Sequence, residues 1–323
     1  MATENDKGAP GPDVRLLEGA VPTGFKLGYD ESLFNSEVHR NIQSPGGWHS
    51  FHLLKMDKKK VMASVHFCVA KGVASSPALA PFGSFEMSPA LSTAQLFDFI
   101  AFVEGQLPRH GVKKIVVKCP PQHYNTGPHN ILSVLLFNHQ YKARNAEIGA
   151  IIQVAKAPFT DRLDPWEKRK LKQGAKAGLK CTAVPLGHLH EIYHFILACR
   201  KERGQHLSMA FEALLGTVEK LKSRFVLFGV YHKGVLVAAS IAIRVNKKVL
   251  YNFYSAHSQS SNPLSPVVFL IGEMYDWCGK HHIELLDLGT SALHGKPNFT
   301  LVDFKLRLGA TPSMKLAFEK KLK

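Results

Sequence analysis

The hydrophobic and polar positions of this chain run in two periods, and the changes between them mark out its elements. Apolar residues crowd 51–54 and 61–69 on either side of the basic stretch Asp57-Lys-Lys-Lys60, the pattern of two strands joined by a polar turn. Residues 80–85, Ala-Pro-Phe-Gly-Ser-Phe, read as a loop leading into a strand. From 93 to 109 the period lengthens: Leu96, Phe97, Ile100, Val103 and Leu107 recur at helical spacing, and Gly111 ends the run. A short strand is expected at 114–118, closed by Cys119-Pro-Pro, then a helix at 130–139 and strand character again at 148–154. Asp164 can cap a helix with Pro165 at its first position, and the helix expected over 164–178 is crowded with Lys168, Arg169, Lys170, Lys172 and Lys176. Two further helices are expected over 186–203 and 208–223. Strands return at 225–231, 235–245 and 248–254 as a meander with turns at His232-Lys-Gly234 and Asn246-Lys. A helix at 266–281 and a buried strand at 283–288 follow, and Thr300 is expected to cap a last helix that carries Phe304, Lys305 and Leu308 and stops at Gly309.

This order of elements occurs twice. Phe51-His-Leu-Leu, a turn and Val61 answer Phe225-Val-Leu-Phe, a turn and Val235 at one constant offset, and Gly111 with its following strand answers Gly279 with its own at a slightly smaller one. Each copy reads hairpin, strand, loop, helix, glycine, strand, which favours an internal duplication over generic α/β patterning. The expected fold class is α/β with mixed sheets in two tandem domains, 21–160 and 161–323, after a flexible N-terminal segment, 1–20.

Composition narrows the picture. With 323 residues the chain is long enough for two domains of ordinary size, and its 45% hydrophobic content is that of a soluble globular protein. No apolar run reaches membrane-spanning length, and the polar start with Gly-Ala-Pro-Gly-Pro lacks the apolar region of a signal peptide, so a cytoplasmic protein is expected. Cys68, Cys119, Cys181, Cys199 and Cys278 are scattered without metal-like spacing and read as reduced thiols. The formal net charge of +16 attracts phosphate-rich partners: CoA, a nucleotide-linked sugar, tRNA or an anionic membrane surface.

The candidate chemistry gathers near the C-terminus. Asp287 falls at the end of the buried strand, where open α/β sheets place functional groups, and Gly289 lets the chain turn there. After the loop that includes His294-Gly-Lys-Pro-Asn298, the last helix brings Lys305 near the same place. A buried ion pair or a surface lysine is the plainer reading of these two residues. Ser258-Gln-Ser-Ser-Asn-Pro-Leu-Ser265, with Ser261 and Asn262 inside it, precedes a helix N-terminus and can receive an anion on hydroxyls and backbone N–H groups. Lys168, Lys172 and Lys176 share one helix face, a stripe that either binds phosphates, with Arg169 forking onto one, or is a solvated face. His188, His190, His194, His281 and His282 form no convincing ligand set, so no metal is expected, and no Ser-His-Asp or Cys-His arrangement can be read.

Asp287-Leu-Gly after a strand, then a loop and Phe304-Lys305 with Gly309, resembles the C-terminal signature of the Fem-type peptidyltransferases and of related FemAB-like or BioF2-like acyltransferases of the GNAT superfamily. Pro81-Phe-Gly, Pro120-Pro-Gln-His-Tyr124 and the basic helix from Trp166 to Gly178 resemble further motifs of that family in the same order, so the resemblance covers the chain from about Pro81 onward. It implies two GNAT-like domains and direct N-acyl transfer, with aminoacyl-tRNA or acyl-CoA as donor, no tightly bound cofactor, and as acceptor an amine on a cell-envelope precursor such as a peptide, an amino sugar or a nucleotide-linked intermediate. Contact with an anionic membrane surface is a further expectation. On this reading Lys305 stabilises the oxyanion and Asp287 orients the amine or takes its proton, while Tyr254 bonds the acyl carbonyl or stays in the core. Arg169, Lys172, Tyr124, Ser258, Ser261, Asn262 and Phe304 complete the expected binding set. The chain departs from simple GNAT enzymes in lacking their glycine-rich pyrophosphate loop, which counts against an acyl-CoA-dependent acetyltransferase of a polysaccharide or small amine. Two non-enzymatic roles also fit the sequence: a non-catalytic binding protein on the same fold, and a nucleic-acid-binding protein that uses the positive charge.

Overall fold

The computed structural model describes residues 13–293 and 296–322. The chain divides into two compact units, residues 1–146 with 315–323, and residues 147–314. The expected N-terminal segment lies outside the described residues up to position 12, but its remainder is ordered. Val14–Glu18 form strand β1, antiparallel to β3, and Val14 and Leu16 pack on the core.

Unit 1 continues with β2 (Lys26–Leu27), α1 (Glu37–Gln43), β3 (Trp48–Lys55), β4 (Lys60–Ala70), β5 (Val73–Ser76), β6 (Glu86–Met87), α2 (Thr93–Gln106), β7 (Lys114–Lys118) and α3 (Thr126–Asn138). The hairpin β3/β4 is in the expected place, with Phe51 opposite Val65. The helix expected at 130–139 starts a turn earlier. The sheet order is β1-β3-β4-β5-β7, with β5 and β7 parallel and β1/β3, β3/β4 and β4/β5 antiparallel. The far edge of β7 is paired by the end of β16 (Thr311–Lys321), Phe318 lying opposite Val117. Phe51, Val65 and Phe67 on the sheet and Phe99, Ile100 and Val103 on α2 form the core, each fully buried. Alternation along the strands and the i, i+3, i+4 spacing on α2 point these residues at one another.

Unit 2 runs from the 147–153 part of β8 (Lys142–Gln153) through α4 (Pro165–Lys176), β9 (Leu179–Val184), α5 (Leu189–Lys201), α6 (Phe211–Lys220), β10 (Phe225–His232), β11 (Val235–Arg244), β12 (Val249–His257), α7 (Pro266–Lys280), β13 (Leu285–Thr290), the small hairpin β14 (Ala292–Leu293) and β15 (Lys296–Pro297), and α8 (Phe299–Arg307). His294 and Gly295 of the last loop lie outside the described residues. The sheet order is β8-β13-β12-β11-β10-β9, with β12 and β13 parallel. The sequence pattern did not announce β9, because this edge strand is half exposed and carries no apolar run. Strand by strand, β10-β11-β12-α7-β13 repeats β3-β4-β5-α2-β7, the duplication read from the sequence.

Asp164 caps α4 as expected, accepting from the Trp166 N–H at 2.8 Å. The cap of α8 is Asn298 rather than Thr300: its Oδ1 accepts from the Leu301 N–H at 3.1 Å, so the helix begins one residue before Thr300. Gly309 ends that helix at φ +80, and a Cβ there would lie 2.7 Å from both the Cβ and the carbonyl oxygen of Arg162. Gly309→Ala therefore meets both a left-handed backbone and fixed backbone atoms. It should destabilise the protein by about 1–3 kcal/mol in urea unfolding; a change within a few tenths of a kcal/mol would show that the 308–310 turn relaxes freely.

Candidate active site

The parallel ladder between β12 and β13 runs over Val249/Leu285, Leu250/Leu286 and Tyr251/Asp287. Beyond it, Asn252, Phe253, Ser255, Ala256 and His257 of β12 and Leu288, Gly289 and Thr290 of β13 line a cleft of about 1080 Å³. A bulge beside Ile241/Ala242 of β11 helps to redirect β12 there. The start of α7, the residues after α5, the inner face of α8, and Glu167 and Lys170 of α4 complete the walls. In unit 1 the equivalent ladder ends differently. It reaches Ser76/Val117, and Pro81-Phe-Gly83 folds back on the strand ends. The Gly83 N–H donates to Lys118 O at 3.0 Å and the Ser84 N–H to Ser76 Oγ at 3.0 Å. Phe82 is buried edge-on against Phe34 and Tyr124. The Pro-Phe-Gly loop thus fills the end of the first ladder, and Tyr124 packs against it.

Lys305 lies on the cleft wall with 7% exposure. Its Nζ donates to Gly289 O at 2.9 Å and to Thr290 O at 3.0 Å, the carbonyls just past the end of the β12/β13 ladder. Burial pulls its pKa down to about 8; the negative charge of Asp287 acts in the opposite direction. Asp287 itself is 1% exposed and sits behind the wall, its Oδ1 accepting from the Gly289 N–H at 2.7 Å. The two polar residues singled out in the sequence are thus coupled through the Gly289 turn, which Gly289 makes at φ +75.

The cleft brings together Lys305, Phe304 and Asn262 from the expected set. Asn262 Oδ1 lies 2.8 Å from His257 Nε2, which is also 3.2 Å from the Arg203 guanidinium. Desolvation, reinforced by Arg203, lowers the His257 pKa, whereas its bond to Asn262 raises it. Tyr254 points the other way from its neighbours on β12: it is 7% exposed and its hydroxyl bonds Ser208 Oγ, the core placement. Ser258 and Ser261 bond each other at 2.9 Å and hold the loop rather than line the cleft. Arg169 and Lys172 are on the exposed side of α4, and the Arg169 guanidinium lies over the Trp166 ring at 5.0 Å. The cations of the wall besides Lys305 are Lys170, Arg200 and Arg203. Arg200 is held by Gln205 Oε1 at 2.7 Å and Ser255 O at 3.1 Å, and burial lowers its pKa. Sequence reasoning passed over Arg200-Lys-Glu-Arg203 because it ends a helix whose visible signal was its apolar face; the two arginines three apart, followed by Gly204, were the available clue.

Residues 190–299, from α5 to the start of α8, match the acetyltransferase (GNAT) domain family. No curated protein matches the chain in sequence. Among solved structures it is similar to FemX, with a TM-score of 0.69 at 10% identity over 91% of this chain and 93% of that one. It is also similar to the C-terminal DUF2156 domain of a putative lysylphosphatidylglycerol synthetase from Agrobacterium fabrum, with a TM-score of 0.54 at 11% identity over 89% and 88%. L-PGS from Bacillus licheniformis gives 0.53 at 11% identity over 90% and 88%. The fold is a GNAT fold present twice. The two-unit arrangement is similar to that of FemX. Among the described residues no helix is long and apolar enough to cross a membrane.

The lowered pKa of Lys305 has a consequence for stability. An unfolded lysine titrates near 10.4, so between about pH 8 and that value the unfolded chain holds a proton that the folded chain has released, and stability rises with pH. The cost of burying the ammonium is fully present below about pH 8. Lys305→Met removes this cost at every pH, so the stability of the variant minus that of the wild type should be largest near neutrality and fall between pH 8 and 10.5. A difference that stays level over that window in chemical denaturation would mean that Lys305 titrates as an ordinary lysine.

Proposed function

We propose that this protein is an N-acyltransferase that moves an acyl or aminoacyl group in one step from a bound thioester or ester to an amine, in the cleft of unit 2. The observation that carries this reading is Lys305, a buried cation held by two strand-end carbonyls on the wall of a cleft of substrate size. A lysine ammonium has three N–H donors, and those two bonds leave one of them to meet negative charge that develops on a bound acyl carbonyl. The amine nitrogen attacks the acyl carbon, the C–N bond forms, and the oxyanion is stabilised at Lys305. Collapse breaks the C–S or C–O bond, the leaving sulfur or oxygen takes up a proton, and the amine gives one up to water in the open cleft. Asp287 acts through the Gly289 turn and through its charge on Lys305, so it is a positioning residue here.

Lys170, Arg200 and Arg203 suit a donor that carries phosphates, and both aminoacyl-tRNA and acyl-CoA do. The acyl-CoA reading draws support from the N-terminus of α7, whose Pro266, Val267 and Val268 line the cleft, although the glycine-rich loop is missing. The acceptor on this reading is an amine of a cell-envelope precursor, a peptide or an amino sugar, among them nucleotide-linked intermediates.

Incubation with acetyl-CoA or charged tRNA and a panel of amines, read by mass spectrometry, tests the reaction class. Lys305→Met should lower turnover on the order of 100-fold or more with donor affinity nearly intact; a variant as fast as wild type would remove Lys305 from the chemistry. Arg203→Gln should raise the donor KM, leave kcat near its wild-type value and flatten the dependence of KM on salt. An equal fall in kcat and kcat/KM would place Arg203 in the transition state instead.

A further inference from the structure

We propose that unit 1 carries a divalent metal site, of the kind zinc occupies, formed by Glu18, His49 and His110. The three residues come from separate elements: Glu18 ends β1, His49 is near the start of β3, and His110 closes the 3-10 turn that follows α2. Strand register brings the first two together. Glu18 lies opposite Phe51, so its side chain emerges on the face of the sheet to which Phe51 points, and His49, two residues before Phe51, emerges on that face as well. Helix α2 covers this face, and the turn after it delivers His110 to the rim beside them.

One ligand atom from each residue lies within 4.8 Å of the other two. Glu18 Oε1 is 3.5 Å from His49 Nδ1 and 2.5 Å from His110 Nε2, and the two imidazole centroids are 3.8 Å apart. Zinc bonds imidazole nitrogen and carboxylate oxygen at about 2.0–2.2 Å, so atoms that share a tetrahedral ion are about 3.3 Å apart. The Glu18–His49 spacing already fits, and the Glu18–His110 spacing fits after the imidazole moves by about 1 Å. The donor set is two imidazoles and one carboxylate, three protein ligands that leave a fourth position to water. The side chains are 25–30% exposed, which gives an ion and its water a way in. An ion here would tie β1, an edge strand of unit 1, to the end of α2. This reading owes nothing to the proposed transferase activity.

The test uses the full chain stripped with EDTA and dialysed, then titrated with Co²⁺ as a spectroscopic substitute and challenged with Zn²⁺. The wild type should bind one equivalent, show the visible bands of a four-coordinate Co²⁺ and lose them to zinc. Zinc should also raise its Tm. His49→Gln and His110→Gln keep hydrogen-bonding side chains in place. Each should weaken binding by more than the 10- to 100-fold that even an outer-shell partner is worth, with circular dichroism unchanged. His190 and His194, whose rings are 4.2 Å apart in unit 2, are the competing pair, and His190→Gln/His194→Gln should leave the cobalt spectrum as it is. Absence of a one-equivalent site, or equal binding by the His49→Gln and His110→Gln chains, would overturn the proposal and leave a hydrogen-bonded His–Glu cluster that needs no ion.

Discussion

Two parallel strands cannot simply stop being paired inside a protein. Wherever the ladder ends, the carbonyls and N–H groups beyond it must find other partners or pay for desolvation. Each unit of this protein meets that requirement at the end of the ladder that follows its crossover helix, and the two answers differ. Unit 1 seals the end with Pro81-Phe-Gly83, whose backbone donates to Lys118 O while Phe82 fills the space behind it. Unit 2 leaves the end open and hands two of the freed carbonyls, Gly289 and Thr290, to a lysine. The same topology thus yields a packed corner in one unit and a cleft in the other.

That contrast explains which parts of the sequence were readable. The strands and helices that face a core announce themselves by period, and β7, α4 and α7 fall where the period put them. The Asp287-Leu-Gly and Phe304-Lys305 motifs were readable because strand end, turn and helix are contiguous in the chain, so their meeting needs no long-range information. The remaining cleft walls were not readable for the opposite reason. Arg200 at the end of α5 and Arg203 in the turn after it reach β12, some fifty residues away, through Ser255 O and His257, and nothing local in either segment records that approach. The end of β1 likewise sits beside His49 and His110 through sheet register and a helix end, and the polar composition of the N-terminal segment gives no sign of it.

The basic helix shows how a charge pattern misleads when its phase is unknown. Lys168, Lys172 and Lys176 do share a face of α4. The opposite edge, however, is the one that packs, marked by Glu167 at 0% exposure and by Gly174, where a Cβ would come within 2.6 Å of Phe269. A buried glutamate must find cations, and Glu167 takes Lys170 at 3.3 Å and Arg307 at 3.0 Å. That pairing holds Lys170 on the cleft wall, and Arg169 lies on the exposed side over the Trp166 ring, which Lys170 Nζ also approaches at 5.5 Å. The lone acid in a run of bases, with a glycine seven residues on, carried the phase of the helix; the bases did not.

Glu167 also links this helix to α8 and so to Lys305. Arg307, its second partner, lies two residues beyond Lys305 on α8, and the Asp164 N–H bonds the Arg307 carbonyl at 2.9 Å. Helix α8 is short, so its direction is fixed by its ends: Asn298 at the start, and Glu167, Asp164 and the tight approach of Gly309 to Arg162 at the finish. Between these anchors Lys305 has little freedom to move away from Gly289 and Thr290, even though burying its ammonium is unfavourable. On the proposed reading, a cation held in this way by two carbonyls needs little reorganisation when negative charge appears beside it. The packing of α4 against α8 is thereby part of the apparatus that keeps the charge in place.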